Sequence, residues 1–220
     1  MHESTFADAR PARRRWSYLL PGGVGAAATV AFVLLAAAAA ADGRAGWDAH
    51  LSHSLYAQKH NPNFLGGHGD MLVWVLGRTS EVLALVALAV ILVVLARRRR
   101  FRDAALLLAA VAGTFVLEPA LKDLIKRPPF RPDDSGYSFP SGHAMRSAAA
   151  LAAVAITAWP SRWRWLVAVA SVVLCALIGV ALVYDGWHWG ADVVGGWCAA
   201  LAWVSLVYLG LRAPLPNDKR

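Results

Sequence analysis

Charge is scarce in this chain, acidic charge above all. Asp, Glu, Lys and Arg make up 16% of its 220 residues, 14 acids against 22 bases, whereas soluble domains carry about a quarter. So little charge cannot cover a soluble surface, and what there is lies bunched between long apolar runs. Cysteine is nearly absent. Cys175 and Cys198 both fall inside apolar runs, which argues against a disulfide framework and leaves the redox compartment unmarked. Internal repeats are missing, and the alanine run at 36–41 is the nearest approach to low complexity. The net charge of +8 comes without a basic face interleaved with aromatics, so no nucleic-acid partner is expected. Arginines beside apolar runs fit anchoring at anionic lipid headgroups. With 58% hydrophobic residues, the composition is that of an integral membrane protein.

Apolar segments near the 20 residues that span a bilayer run over 19–41, 71–96, 104–121, 143–159, 165–184 and 191–211. They predict an all-α integral membrane fold of six transmembrane helices over 18–212, with a basic tail at 1–17 and a second tail at 213–220. The first run is long enough to span, so it reads as an uncleaved helix rather than a signal peptide. Residues 42–70 are more polar, with turn chemistry at Asn61-Pro62-Asn63 and Gly66-Gly67, and read as an outer interfacial loop or short helix. Lysine and arginine placement sets the orientation. Arg10, Arg13, Arg14, Arg15, the arginines at 97–100, Arg102, Arg162, Arg164, Arg212, Lys219 and Arg220 all fall on one side if both termini are cytoplasmic. The 122–143 connection and the 187–192 turn then face outward, at the extracytoplasmic face.

Three groups on that face could do chemistry. Pro140-Ser141-Gly142-His143 opens the fourth span. A helix N-terminus offers backbone N–H groups to an anion, Ser141 can cap, and Gly142 lets backbone approach a phosphate. The bland alternative is a plain turn with an interfacial histidine. His188 and Asp192 are four residues apart and share a helix face, so the carboxylate can hold one imidazole nitrogen and leave the other to attack. Lys122, Lys126, Arg127 and Arg131 lie among Pro128, Pro129 and Pro132. They read either as snorkelling headgroup contacts or as a phosphate cradle.

On these residues the chain resembles the type 2 phosphatidic acid phosphatase superfamily of membrane lipid phosphatases. That family's pattern is a lysine followed by Arg-Pro, a Pro-Ser-Gly-His, and a Ser-Arg followed by His and Asp. The second part is present at 140–143, and the third is present in its His188 and Asp192 half. In the first, eight residues lie between Lys122 and Arg131-Pro132 where six is usual, and Arg127-Pro128 is the other choice. The arginine of the third part is replaced by Leu182, after Ala181. Arg146, one turn beyond His143, either compensates at the phosphate or pairs with a carboxylate such as Glu118.

The residues read as phosphoryl transfer through a phosphohistidine, and the resemblance implies the same roles without a metal or cofactor. His188 is the expected nucleophile, Asp192 its orienter and His143 the acid and base. Lys122, Arg131, Arg127, Ser141, Gly142 and Arg146 are the expected phosphate-binding set. The expected substrate is a lipid phosphate or diphosphate, polyprenyl or glycerolipid, in a bacterial inner membrane. A lipid phosphotransferase is a close variant of that reading, and a silent binder or transporter of phosphorylated lipid is the alternative that Leu182 keeps open. Arg78 and Glu81 read as an ion pair, and His50, His53, His60 and His68 as interfacial residues rather than a metal site. Trp159, Trp163, Trp165, Trp187 and Trp189 read as an aromatic belt.

Overall fold

The computed structural model describes residues 9–42, 46–59, 61 and 80–212, with side chains from residue 19 in the first helix and from residue 87 in the third. Among these residues the chain forms seven α-helices. They are α1 (Ala9–Asp42), α2 (Ala49–Gln58), α3 (Ser80–Arg97), α4 (Phe101–Ile125), α5 (Gly142–Ala158), α6 (Arg164–Tyr184) and α7 (Gly190–Arg212). An apolar surround offers no water to backbone groups, and helices satisfy all of them internally. Four segments, Leu19–Ala41, Phe101–Ile125, Arg164–Tyr184 and Gly190–Arg212, are long and apolar enough to cross a membrane. Their outward residues stay uncovered: Val116, Val172 and Leu206 are among the most exposed side chains, as lipid-facing positions should be.

The helices match the expected runs with shifts of a few residues. One shift matters for the site. The third run extends to Ile125, so Lys122 sits in the last turn of α4 and not in a loop. The run expected at 71–96 is described only from residue 80, so Arg78 and the side chain of Glu81 lie outside the described residues, as do His60 and His68.

Helix α5 is the hub, packing on α4, α6 and α7, while α1 packs along α7 and α3 along α4. At 17 residues it is about 25 Å long, short for a bilayer core, but Ala144, Met145, Ala149 and Ala153 on it are fully buried. Small side chains let backbones come close, the usual route to tight packing where lipid competes with apolar contacts. Backbone meets backbone at Gly196 of α7, where a Cβ would lie 2.7 Å from the backbone oxygen of Ser141.

Local chemistry ends the helices where the site begins. Lys126 takes a left-handed conformation, φ 58°, and its N–H returns to the Lys122 carbonyl. Pro128 and Pro129 follow and cannot continue a helix. Gly186, φ 70°, turns the chain after α6, a conformation that suits glycine. Ser141 starts α5, its Oγ accepting the Ala144 N–H at 3.4 Å. The end of α4, the start of α5, the end of α6 and the start of α7 therefore meet at one end of the bundle. The arginine-rich α3–α4 turn, by contrast, reaches the far end of α5, where Arg100 donates to the Thr157 carbonyl at 2.7 Å.

Candidate active site

The first turn of α7 holds the centre. Asp192 is fully buried, and its Oδ2 lies 3.3 Å from Nδ1 of His188 while accepting the Trp189 N–H at 3.1 Å. The spacing of four residues thus yields the pair expected from it. His143 approaches from α5. Its ring stands edge-on to Trp187 with centroids 5.9 Å apart, beside the residue that precedes His188. The Ser141 N–H donates to the Asp192 carbonyl at 3.0 Å, tying the start of α5 to the start of α7. Both sequence strings are joined by these two contacts.

The basic stretch divides. Arg127 is expected at a phosphate, but its side chain is 1% exposed and lies between two carboxylates, 2.8 Å from Asp192 Oδ1 and 2.8 Å from Asp48 Oδ1. Trp189 covers the guanidinium, its ring centre 5.1 Å away. The reason is the left-handed Lys126: it swings the next residue inward, and a buried guanidinium must find anions. Arg131 stays nearer the surface, over the Tyr56 ring, donating to the Asp185 carbonyl, with no hydrogen-bond partner for its Nε among the described residues. Asp185 also pairs with Lys59 of the turn after α2.

Glu118 organises the other cations. Its carboxylate pairs with Lys122 Nζ at 2.9 Å and with Arg146 at 2.6 Å. Of the two readings of Arg146, the structure shows the carboxylate pair. Ser141 also differs from expectation. It is fully buried, its Oγ caps α5 and its N–H serves Asp192, so both groups work inside the protein. Leu182, where the resemblance expects arginine, is buried with Ala144, Val183 and Val193.

Asp48 is the residue that sequence reasoning missed. It lies just before α2 in the segment read as interfacial, yet it is fully buried. No spacing rule links positions 48, 127 and 192. Charge balance was the available signal: cations gathered at one face need acids, and Asp48 and Asp185 each pair with one while Glu118 pairs with two. Helix α2 roofs this end, with the His53 ring 5.0 Å from Phe130 and 5.7 Å from Trp189.

The sequence model of the PAP2 superfamily matches residues 103–214, just over half of the chain. The chain belongs to the PAP2 superfamily. The matched stretch holds every candidate site residue named above except those of α2 and its flanks. An undecaprenyl-diphosphatase from Sulfolobus acidocaldarius is 29% identical over 166 residues, 71% of each chain. Phosphatidylglycerophosphatase B from Bacillus subtilis is 32% identical over 118 residues, 50% of this chain and 58% of the relative. The crystal structure of a transmembrane PAP2-type phosphatidylglycerolphosphate phosphatase from Bacillus subtilis superposes with a TM-score of 0.66 and 23% identity, covering 83% of this chain and 93% of that one. That likeness places the bundle in the PAP2 membrane fold.

Proposed function

We propose that this PAP2 protein dephosphorylates a lipid phosphate or diphosphate through a phosphohistidine. The observation that carries the reading is the buried Asp192 carboxylate 3.3 Å from Nδ1 of His188, with the His143 ring against the adjoining Trp187. With Nδ1–H donating to Asp192, Nε2 keeps its lone pair and attacks phosphorus. The bond from phosphorus to the leaving oxygen breaks, and His143 gives that oxygen a proton. Water then attacks the phosphohistidine, His143 takes the proton, and the nitrogen–phosphorus bond breaks to release phosphate. Arg131, Lys122, Arg146 and the α5 N-terminus at Gly142 are the groups available to the phosphoryl oxygens.

The chain spans the membrane six times in this reading, with the tails at 1–17 and 213–220 cytoplasmic and the site on the outer face. Support comes from the bundle end opposite the site, which carries Arg97, Arg98, Arg99, Arg100, Arg102, Arg162, Arg164 and Arg212. The buried Leu182 favours a second reading, a silent binder of phosphorylated lipid. The deciding experiment offers phosphatidic acid, phosphatidylglycerol phosphate and a polyprenyl diphosphate in mixed micelles with EDTA, beside a His188→Ala control. Phosphate release with a bell-shaped pH profile, lost in the control, is expected. Saturable binding without turnover would replace the enzyme by the binder.

A further inference from the structure

Asp48 sits 144 residues before Asp192 in sequence, yet the two carboxylates hold the same guanidinium. Asp48 Oδ1 takes Arg127 at 2.8 Å, and Arg127 reaches Asp192 Oδ1 at 2.8 Å. Asp192 Oδ2 then meets His188 at 3.3 Å. Asp48, Arg127 and Asp192 are all 0–1% exposed, so solvent screens these contacts little. Asp48 is also tied to the start of α7, the helix that carries Asp192. The Ala191 N–H donates to its Oδ2 at 2.7 Å, and the Gly190 N–H donates to Ser52 Oγ at 3.0 Å. Ser52 Oγ in turn donates to the Asp48 carbonyl at 2.8 Å.

We propose that Asp48 is a positioning residue for the reaction: through Arg127 it determines how much of Asp192's charge remains for His188. The inference rests on the phosphohistidine reading above. One guanidinium between two carboxylates leaves a surplus of one negative charge. Buried surplus charge is costly for folding, but it becomes an asset when a positive charge develops beside it. That charge appears on the His188 ring as Nε2 bonds to phosphorus. Without the charge of Asp48, Arg127 would neutralise Asp192, and the ring would face a cluster of net zero.

The test is a double-mutant cycle of Asp48→Asn and Arg127→Gln, with phosphatidic acid in mixed micelles as the probe. Each protein is read for kcat, KM and pH profile, for thermal unfolding, and for the His188 imidazole titration by NMR with labelled histidine. His143, His53, Lys59, Asp185 and Arg131 on the surrounding elements are common to every member, so differences report the cluster. Asp48→Asn is expected to lower kcat about tenfold or more with KM little changed. Its acidic limb and the His188 titration should move to lower pH, because the imidazolium loses stabilisation. The double variant restores a net charge of minus one and returns both towards wild type, which a purely structural role would not do.

Wild-type kcat and titration in a folded Asp48→Asn protein would overturn the proposal, as would a double variant farther from wild type than the single. If Asp48→Asn does not fold, Arg127→Gln reads the same coupling with opposite sign. Two uncompensated carboxylates should move the His188 titration to higher pH, and no movement overturns the inference. A fully active His188→Ala, or an inactive wild type, sinks the phosphatase reading instead, while the NMR titrations still decide the link from Asp48.

Discussion

The carboxylate of Glu118 rests directly on Gly142, so closely that a Cβ at position 142 would overlap it. The same carboxylate holds Lys122 and Arg146. Two cations and the opening residue of α5 thus converge on one carboxylate, the arrangement a phosphate would need. Under the proposed reaction, a side-chain anion in that place would compete with a phosphate anion for the same donors.

Glu118→Gln removes the competitor's charge while keeping its shape. Inorganic phosphate should then inhibit about three- to tenfold more tightly, since a charged hydrogen bond is worth roughly 1 kcal/mol more than a neutral one. Inhibition constants for phosphate in wild type and variant check this, with Glu118→Asp as the charged control. Unchanged inhibition would mean that Lys122 and Arg146 serve only to hold α4 against α5.

Leu182 offers a second test. It is 8% exposed and packs among Ala144, Val183 and Val193, with no anion among those neighbours. Leu182→Arg must bury a guanidinium in that cluster or uncoil it towards Asp185. The expected result is a melting temperature lowered by several degrees, from a cost of about 2–4 kcal/mol, with kcat unchanged or reduced. Thermal unfolding and turnover on one micellar substrate measure both. A tenfold gain in kcat without loss of stability would show a site short of one cation.

These residues also show where sequence reading stops. His188 precedes α7, which starts at Gly190, so its contact with Asp192 spans the helix start and is not made along a shared helix face. The pair was still legible because the two residues lie within one local turn of chain. Ser141 as a cap was legible for the same reason. The burial of Arg127 between two carboxylates was not legible, since it follows a left-handed φ at Lys126, which lysine does not advertise. Asp48 was invisible because its partners lie 79 and 143 residues away. For Arg146 the sequence left two readings standing, phosphate or Glu118. Choosing between them required knowing that α4 and α5 pack side by side.

Gly196 links packing to chemistry without touching a reacting group. A Cβ there would lie 2.7 Å from the Ser141 oxygen and 3.1 Å from the Met145 nitrogen. Both are backbone atoms, so neither can rotate away. Gly196→Ala therefore has to push α5 from α7, and the contact it strains is the Ser141 N–H to Asp192 carbonyl bond of 3.0 Å. Misplacing His143 against His188 by a fraction of an ångström should cost about tenfold or more in kcat. Overpacking should cost about 1–3 kcal/mol in stability. Gly23, whose added Cβ meets nothing within 4 Å, is the control. Gly23→Ala replaces a poor helix former by a good one and should be neutral or stabilising by up to about 1 kcal/mol, with kcat unchanged. Turnover and thermal unfolding of the two variants side by side measure the difference, and equal kcat values would show that the α5–α7 contact does not set the site's geometry.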